Sequence, residues 1–116
     1  MKLKSSTTAL FLGLLSLISF GEPVYAESKK GVVVYNKGGC KSRYVVETNL
    51  GYTILEWYGG NDPSEGDVLV GDIDSYGFKD LYNTTKDVST RVYVEDYMLS
   101  KSRLTEKFFE KFCGLN

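Results

Sequence analysis

Residues 43–58, RYVVETNLGYTILEWY, decide the fold class. Two runs rich in β-branched and aromatic residues, Arg43 to Thr48 and Tyr52 to Tyr58, flank Asn49-Leu50-Gly51. Gly51 supplies the left-handed backbone that a short turn between paired strands requires. The stretch therefore reads as a β-hairpin. Residues two apart in a strand share a face, so Thr53, Leu55 and Trp57 fall on one side and Tyr52, Ile54, Glu56 and Tyr58 on the other.

The same composition recurs on both sides of the hairpin, at about Val32 to Asn36, Asp67 to Ile73, Phe78 to Asn83 and Arg91 to Tyr97, each run bounded by Gly, Asn, Asp or Ser. A second hairpin is expected at Asp74-Ser75-Tyr76-Gly77. In the last run Val92 and Val94 look inward, which sends Tyr93, Glu95 and Tyr97 to the other side. Gly71, inside VLVGDI, marks a bend or a close approach of another backbone. Gly59 to Gly66 (GGNDPSEG) reads as a solvated loop. The expected class is mainly β: a small meander or barrel of five to six short strands with one C-terminal α-helix. That layout resembles small barrels of the OB or SH3 type, a likeness of architecture that carries no function.

The helix is announced by a change of period. Leu104, Phe108 and Phe112 recur every four residues with Phe109 beside them, and charged residues fill the remaining positions. Ser100 or Ser102 is the expected N-cap and Gly114 the expected stop. The Phe stripe is expected to plug or cover the core of the sheet.

Ahead of the strands, Lys2 and Lys4 precede an uncharged apolar run, Ala9 to Phe20, and Val24-Tyr25-Ala26 offers a cleavage site. The run is well short of the roughly 20 residues that cross a bilayer. Residues 1–26 are therefore expected to be a cleaved signal peptide, and residues 27–116 one small exported domain, periplasmic or secreted, with no membrane span. Without residues 1–26, twelve basic and fourteen acidic residues remain, a net charge of about −2. No Lys/Arg cluster supplies the footprint that phosphate backbones demand, so no nucleic-acid partner is expected. Cys40 and Cys113 are the only cysteines, and in an oxidising compartment they are expected to form a disulfide.

The chain contains no histidine, which removes the commonest general base and metal ligand together. No phosphate-cradling glycine motif opens a helix, and no cofactor is expected. A domain of this size has little room for both a core and a deep catalytic cleft, so the expectation is not an enzyme. Asp72-Ile73-Asp74-Ser75-Tyr76-Gly77 resembles the first half of an EF-hand loop, but Tyr76 and Asn83 stand where oxygen ligands belong. Asp72 and Asp74, helped by Asp62, Glu65 or Asp67, are at most weak calcium candidates. Asn83-Thr84-Thr85 fits a glycosylation sequon.

Aromatic residues exceed what one small core can hold. Trp57, Tyr58, Tyr93 and Tyr97, with Asp62 and Glu65, are the expected binding residues for a protein or glycan partner. The first functional expectation is thus an exported non-enzymatic binding module. The second is a small inhibitor that projects Gly59 to Gly66 into a foreign active site; the third is weak calcium binding through the Asp72 to Gly77 turn.

Overall fold

The computed structural model describes residues 29–114, so the expected signal peptide lies outside the described residues. The strands are β1 (Lys29–Tyr35), β2 (Arg43–Thr48), β3 (Gly51–Gly60), β4 (Val68–Gly71), β5 (Gly77–Asn83) and β6 (Val88–Leu99). They close into an antiparallel barrel in the order β1-β2-β3-β6-β5-β4, with β4 paired back to β1. Two three-stranded meanders are joined by residues 61–67, which carry the chain from the end of β3 across the barrel to the strand beside β1. The expected hairpin at 49–51 is present, with Thr48 opposite Gly51. Gly51 has φ +130°, and a Cβ there would stand 2.8 Å from the Leu99 carbonyl oxygen.

The barrel interior is filled by Val33, Tyr44, Val46, Leu55, Leu69, Ile73, Leu81, Val92 and Val94. Val92 and Val94 point inward as their alternation requires. Gly71 has φ +148°, and a Cβ on it would lie 2.6 Å from Leu81 Cδ2, so this glycine permits both the bend and the close approach.

A second core lies on the outside of the barrel. Val45 and Ile54, on the outer faces of β2 and β3, are buried with Cys40, Leu99, Leu104 and Phe108, and Tyr35, Tyr52, Phe109 and Phe112 close around them. The C-terminal segment that covers them begins as one α-helical turn, α1 (Lys101–Leu104), and widens into a π-helical stretch, Thr105–Glu110. The Ser100 side chain accepts from the Arg103 amide, the capping bond expected of Ser100. Side chains four apart drift forward on a 3.6-residue turn, and the wider turns take up that drift, keeping Leu104, Phe108 and Phe112 on the barrel. The stripe thus covers the sheet's outer face and leaves the barrel interior to the strands. Cys40 and Cys113 are joined in a disulfide that ties this segment to the loop after β1.

Of the stretch Gly59 to Gly66 expected to be a solvated loop, Gly59 and Gly60 end β3, and the connection that follows, residues 61–67, is held at many points. The Asp67 carboxylate accepts from the Ser64 amide (3.0 Å) and from Asn83 Nδ2 (2.8 Å), and it pairs with Lys86. Asn36 donates its amide to Glu65 (2.9 Å) and its side chain to the Pro63 carbonyl (2.6 Å). Pro63 and Asp67 are buried while Asp62, Ser64, Glu65 and Gly66 remain exposed.

Candidate functional site

The structure divides the expected binding residues between two places. Side by side on the barrel exterior, β3, β6 and β5 align Glu56, Tyr93 and Phe78 in one cross-strand row. Residues on this parity face away from the interior, so their rings have only one another and solvent as neighbours. Tyr58 and Phe78 pack edge to face with centroids 4.8 Å apart, and Phe78 and Tyr93 do the same at 4.9 Å. Tyr76 and Tyr97 form a second edge-to-face pair at 4.8 Å. Tyr58, Phe78 and Tyr76 are 51%, 57% and 60% exposed, far above what a core residue shows. Arg91 and Asp80, paired across the same strands at 2.9 Å, border the strip.

Tyr58 and Tyr93 were expected here and Phe78 and Tyr76 were not; Tyr97, expected on the same outward face, packs instead against the interior cluster, because the register shifts between Tyr52 and Leu55 place Asp96 opposite outward-facing Ile54 and turn Tyr97 inward. The missed signal is parity. In Gly77–Asn83 the inward positions are those of Leu81 and Asn83, so Phe78 shares the outward set with Asp80 and Tyr82.

Between the strip and the helical segment stands a bank of paired charges. Arg43 donates to Glu95 through Nε (2.9 Å) and Nη2 (2.7 Å), to Glu56 (3.2 Å) and to the Lys41 carbonyl (2.9 Å). Its guanidinium also lies 4.2 Å from the centre of the Phe112 ring. Burial pushes the Glu56 carboxyl up, the hydrogen bond shared with Glu95 adds to this, and Arg43 opposes it. Lys107 pairs with Asp96 at 2.9 Å. The charge of Asp96 raises the Tyr76 hydroxyl above the usual phenol range. Every member of this bank is matched, so it positions the helix and frames the strip.

Trp57 and Asp62 belong elsewhere. A register shift between Trp57 and Gly59 ends the regular pairing of β3 with β6. The indole Nε1 donates to the Asn61 carbonyl at 3.1 Å, and the Trp57 amide donates to the Ser42 carbonyl at 2.9 Å. With Asn36, Gly38, Gly39, Ser42, Arg43 and Asp62, Trp57 lines a cleft of about 200 Å³ at the barrel end. Glu65 stands behind this cleft, bonded to the Asn36 amide and paired with Lys37 at 2.9 Å.

In the turn considered for calcium, Asp72 accepts from Lys79 Nζ (2.9 Å) and from the Ser75 hydroxyl. Both Asp74 carboxylate oxygens are buried without a hydrogen-bond partner among the described residues, and burial raises this carboxyl. Lys79 thus already pairs with Asp72, one of the two candidate ligands. Among the described residues no group of three or more His, Cys, Asp or Glu side chains is placed to hold a metal.

The sequon asparagine is fully buried. Its Nδ2 donates to Asn61 Oδ1 and to Asp67 Oδ2, both at 2.8 Å, and its Oδ1 accepts from the Lys86 amide at 3.1 Å. Asn83 is therefore a structural bracket between β5 and the 61–67 connection. Compared with models of known protein families, with curated proteins and with solved structures, the chain matches none.

Proposed function

We propose that this protein is an exported, non-enzymatic binding module that docks a protein partner through the Tyr58–Phe78–Tyr93 strip. The observation that carries the reading is the exposure of Phe78, a purely apolar ring held on a strand face between two tyrosines. Tyrosine-rich patches give large contact area with few rotatable bonds, and rings already locked edge to face lose little freedom on association. The charges around the strip are paired with one another, so a partner offering an apolar pocket meets no uncompensated charge. Export is supported by the signal-peptide pattern of residues 1–26, and the Cys40–Cys113 disulfide is compatible with an oxidising compartment.

The test is capture from an extract of the exporting cell's envelope or medium, followed by direct calorimetry with the purified partner. Wild type should retain one protein that Tyr58→Ala, Phe78→Ser loses, with both forms melting within a few degrees of each other. Equal capture by both forms would remove the strip from the reading. The inhibitor reading keeps one supporting observation, the pinning of residues 61–67, and it predicts instead that a Ser64→Ala, Glu65→Ala variant loses the partner.

A further inference from the structure

We propose that the Trp57 cleft is a second binding site, separate from the strip, that takes a single ring of a neutral saccharide. The indole N–H is already spent on the Asn61 carbonyl, so Trp57 offers the cleft its carbon face, and the residue is 37% exposed. An apolar ring face on one wall suits the C–H face of a sugar ring. The same cleft is lined by polar groups with capacity left over. Asp62 Oδ1 accepts from Asn36 Nδ2 at 3.2 Å, and Asp62 Oδ2 has no partner among the described residues. The carbonyl oxygen of the Asn36 side chain and the Ser42 hydroxyl are likewise uncommitted there. Acceptors in excess of donors call for a ligand rich in hydroxyl donors.

Charge and size narrow the class further. Arg43, the only cation on the lining, spends four of its five N–H donors on Glu56, Glu95 and the Lys41 carbonyl and has its charge balanced by the two carboxylates, so no free cation faces the cleft to hold a phosphate or a carboxylate. At about 200 Å³ the space lies below the roughly 300–1,000 Å³ of sites that enclose drug-sized ligands, which matches one ring entering from solvent. The loop that borders the cleft, held to the Trp57 amide through the Ser42 carbonyl, is built at some cost. Lys41 and Ser42 hold φ of +57° and +65°, and Gly38 and Gly39 hold +78° and +73°. Non-glycine residues in this region carry strain that surrounding structure must support, and here the Cys40 disulfide supplies the support. Side chains at 38 and 39 would meet no protein atom within 4 Å, so it is the positive φ and not close packing that calls for glycine at these two positions.

Trp57 is the only tryptophan in the chain, so its emission reports on this cleft alone. The protein expressed from the full 116-residue chain and purified in oxidised form is titrated with N-acetylchitotetraose, cellotetraose and maltotetraose, with thermal melts in parallel. At least one sugar should shift the emission saturably and raise the melting temperature, as any ligand selective for the folded form must. Asp62→Ala should weaken that sugar about tenfold, the effect of losing one hydrogen bond to a charged acceptor. Trp57→Phe, followed by calorimetry, should weaken it while keeping the fold. Phe78→Ser should leave affinity unchanged, so failure of the strip and failure of the cleft read out separately. No response to any of the three sugars, or equal affinity in Asp62→Ala, overturns the proposal; loss in Phe78→Ser alone moves the site to the strip.

Discussion

Phe78 and Tyr93 face each other across β5 and β6 with ring centroids 4.9 Å apart and planes inclined by 74°, outside the barrel rather than within it. Exposed edge-to-face pairs contribute about 0.5–1.5 kcal/mol each, and Phe78 joins two of them. Phe78→Ser should therefore cost less than about 3 kcal/mol in urea unfolding, while a buried aromatic such as Phe108, truncated to Ala, should cost about 3–5 kcal/mol. Comparable losses at both positions would mean that Phe78 is a packing residue.

Asn83 cannot carry a glycan in the folded barrel, because its Nδ2 is shared between Asn61 and Asp67 and the residue is fully buried. Secreted from a eukaryotic host, the soluble folded protein should have an unmodified mass by intact mass spectrometry. Asn83→Ala should cost about 1–3 kcal/mol, the penalty for leaving buried partners unsatisfied. A soluble, natively folded glycoform would refute this placement.

The hairpin at 43–58 was legible because turn chemistry and a period of two agree over sixteen residues. The pairing of β3 with β6 was not, since three register shifts interrupt it and no local pattern encodes them. Buried Thr53, Ile54 and Leu55 read as a break in alternation until the helix is seen to bury Ile54 from outside. Separation of Trp57 from Tyr58 followed from parity alone, yet the cleft depends on left-handed Lys41 and Ser42, for which the residue types give no hint. Asn83 read as the end of a strand and as a sequon asparagine because polar side chains that close a buried network have the same identities as those that face solvent.

Acid should first stabilise and then destabilise the protein. Burial raises Asp74, and burial with the Glu95 hydrogen bond raises Glu56, so each penalises the fold once ionised and the penalty is relieved as pH falls through its folded pKa. Asp67, Asp72 and Glu65 lie below the usual range. In Asp67 burial pushes the carboxyl up, but hydrogen bonds from Lys86, Asn83 and the Ser64 amide outweigh it; Lys79 and Lys37 are the main causes for Asp72 and Glu65. Their stabilisation is complete above the unfolded pKa and is lost as pH falls through the folded values. Melting temperature should thus rise as pH falls from neutrality toward the ordinary carboxylate range and fall again below that range. Glu56→Gln should flatten the rise between neutrality and the peak. A monotonic decline from pH 7 would contradict this assignment.

The Cys40–Cys113 bridge closes a chain separation of 73 residues, and limiting the unfolded chain in this way is worth about 4 kcal/mol in the chain-entropy account. Its loss should not release the helical segment completely. Leu104 and Phe108 stay buried on Val45 and Ile54, each contributing about 1.5–3 kcal/mol, and Lys107 still pairs with Asp96. What the bridge alone secures is the far end: the last turn, where the Phe112 and Cys113 amides both donate to the Phe108 carbonyl, and the loop that carries left-handed Lys41 and Ser42. Cys40→Ser, Cys113→Ser should therefore lower stability by about 2–4 kcal/mol in urea with a steeper slope, since the unfolded chain without the bridge exposes more surface. Hydrogen exchange should quicken at Phe112 and at position 113 well before it does at Leu104, and Trp57 emission should move toward that of a solvated indole as the loop bonded to its amide through Ser42 loosens. A loss below about 1 kcal/mol with unchanged exchange would show that the Phe108 contacts, rather than the covalent tie, fix this end of the molecule.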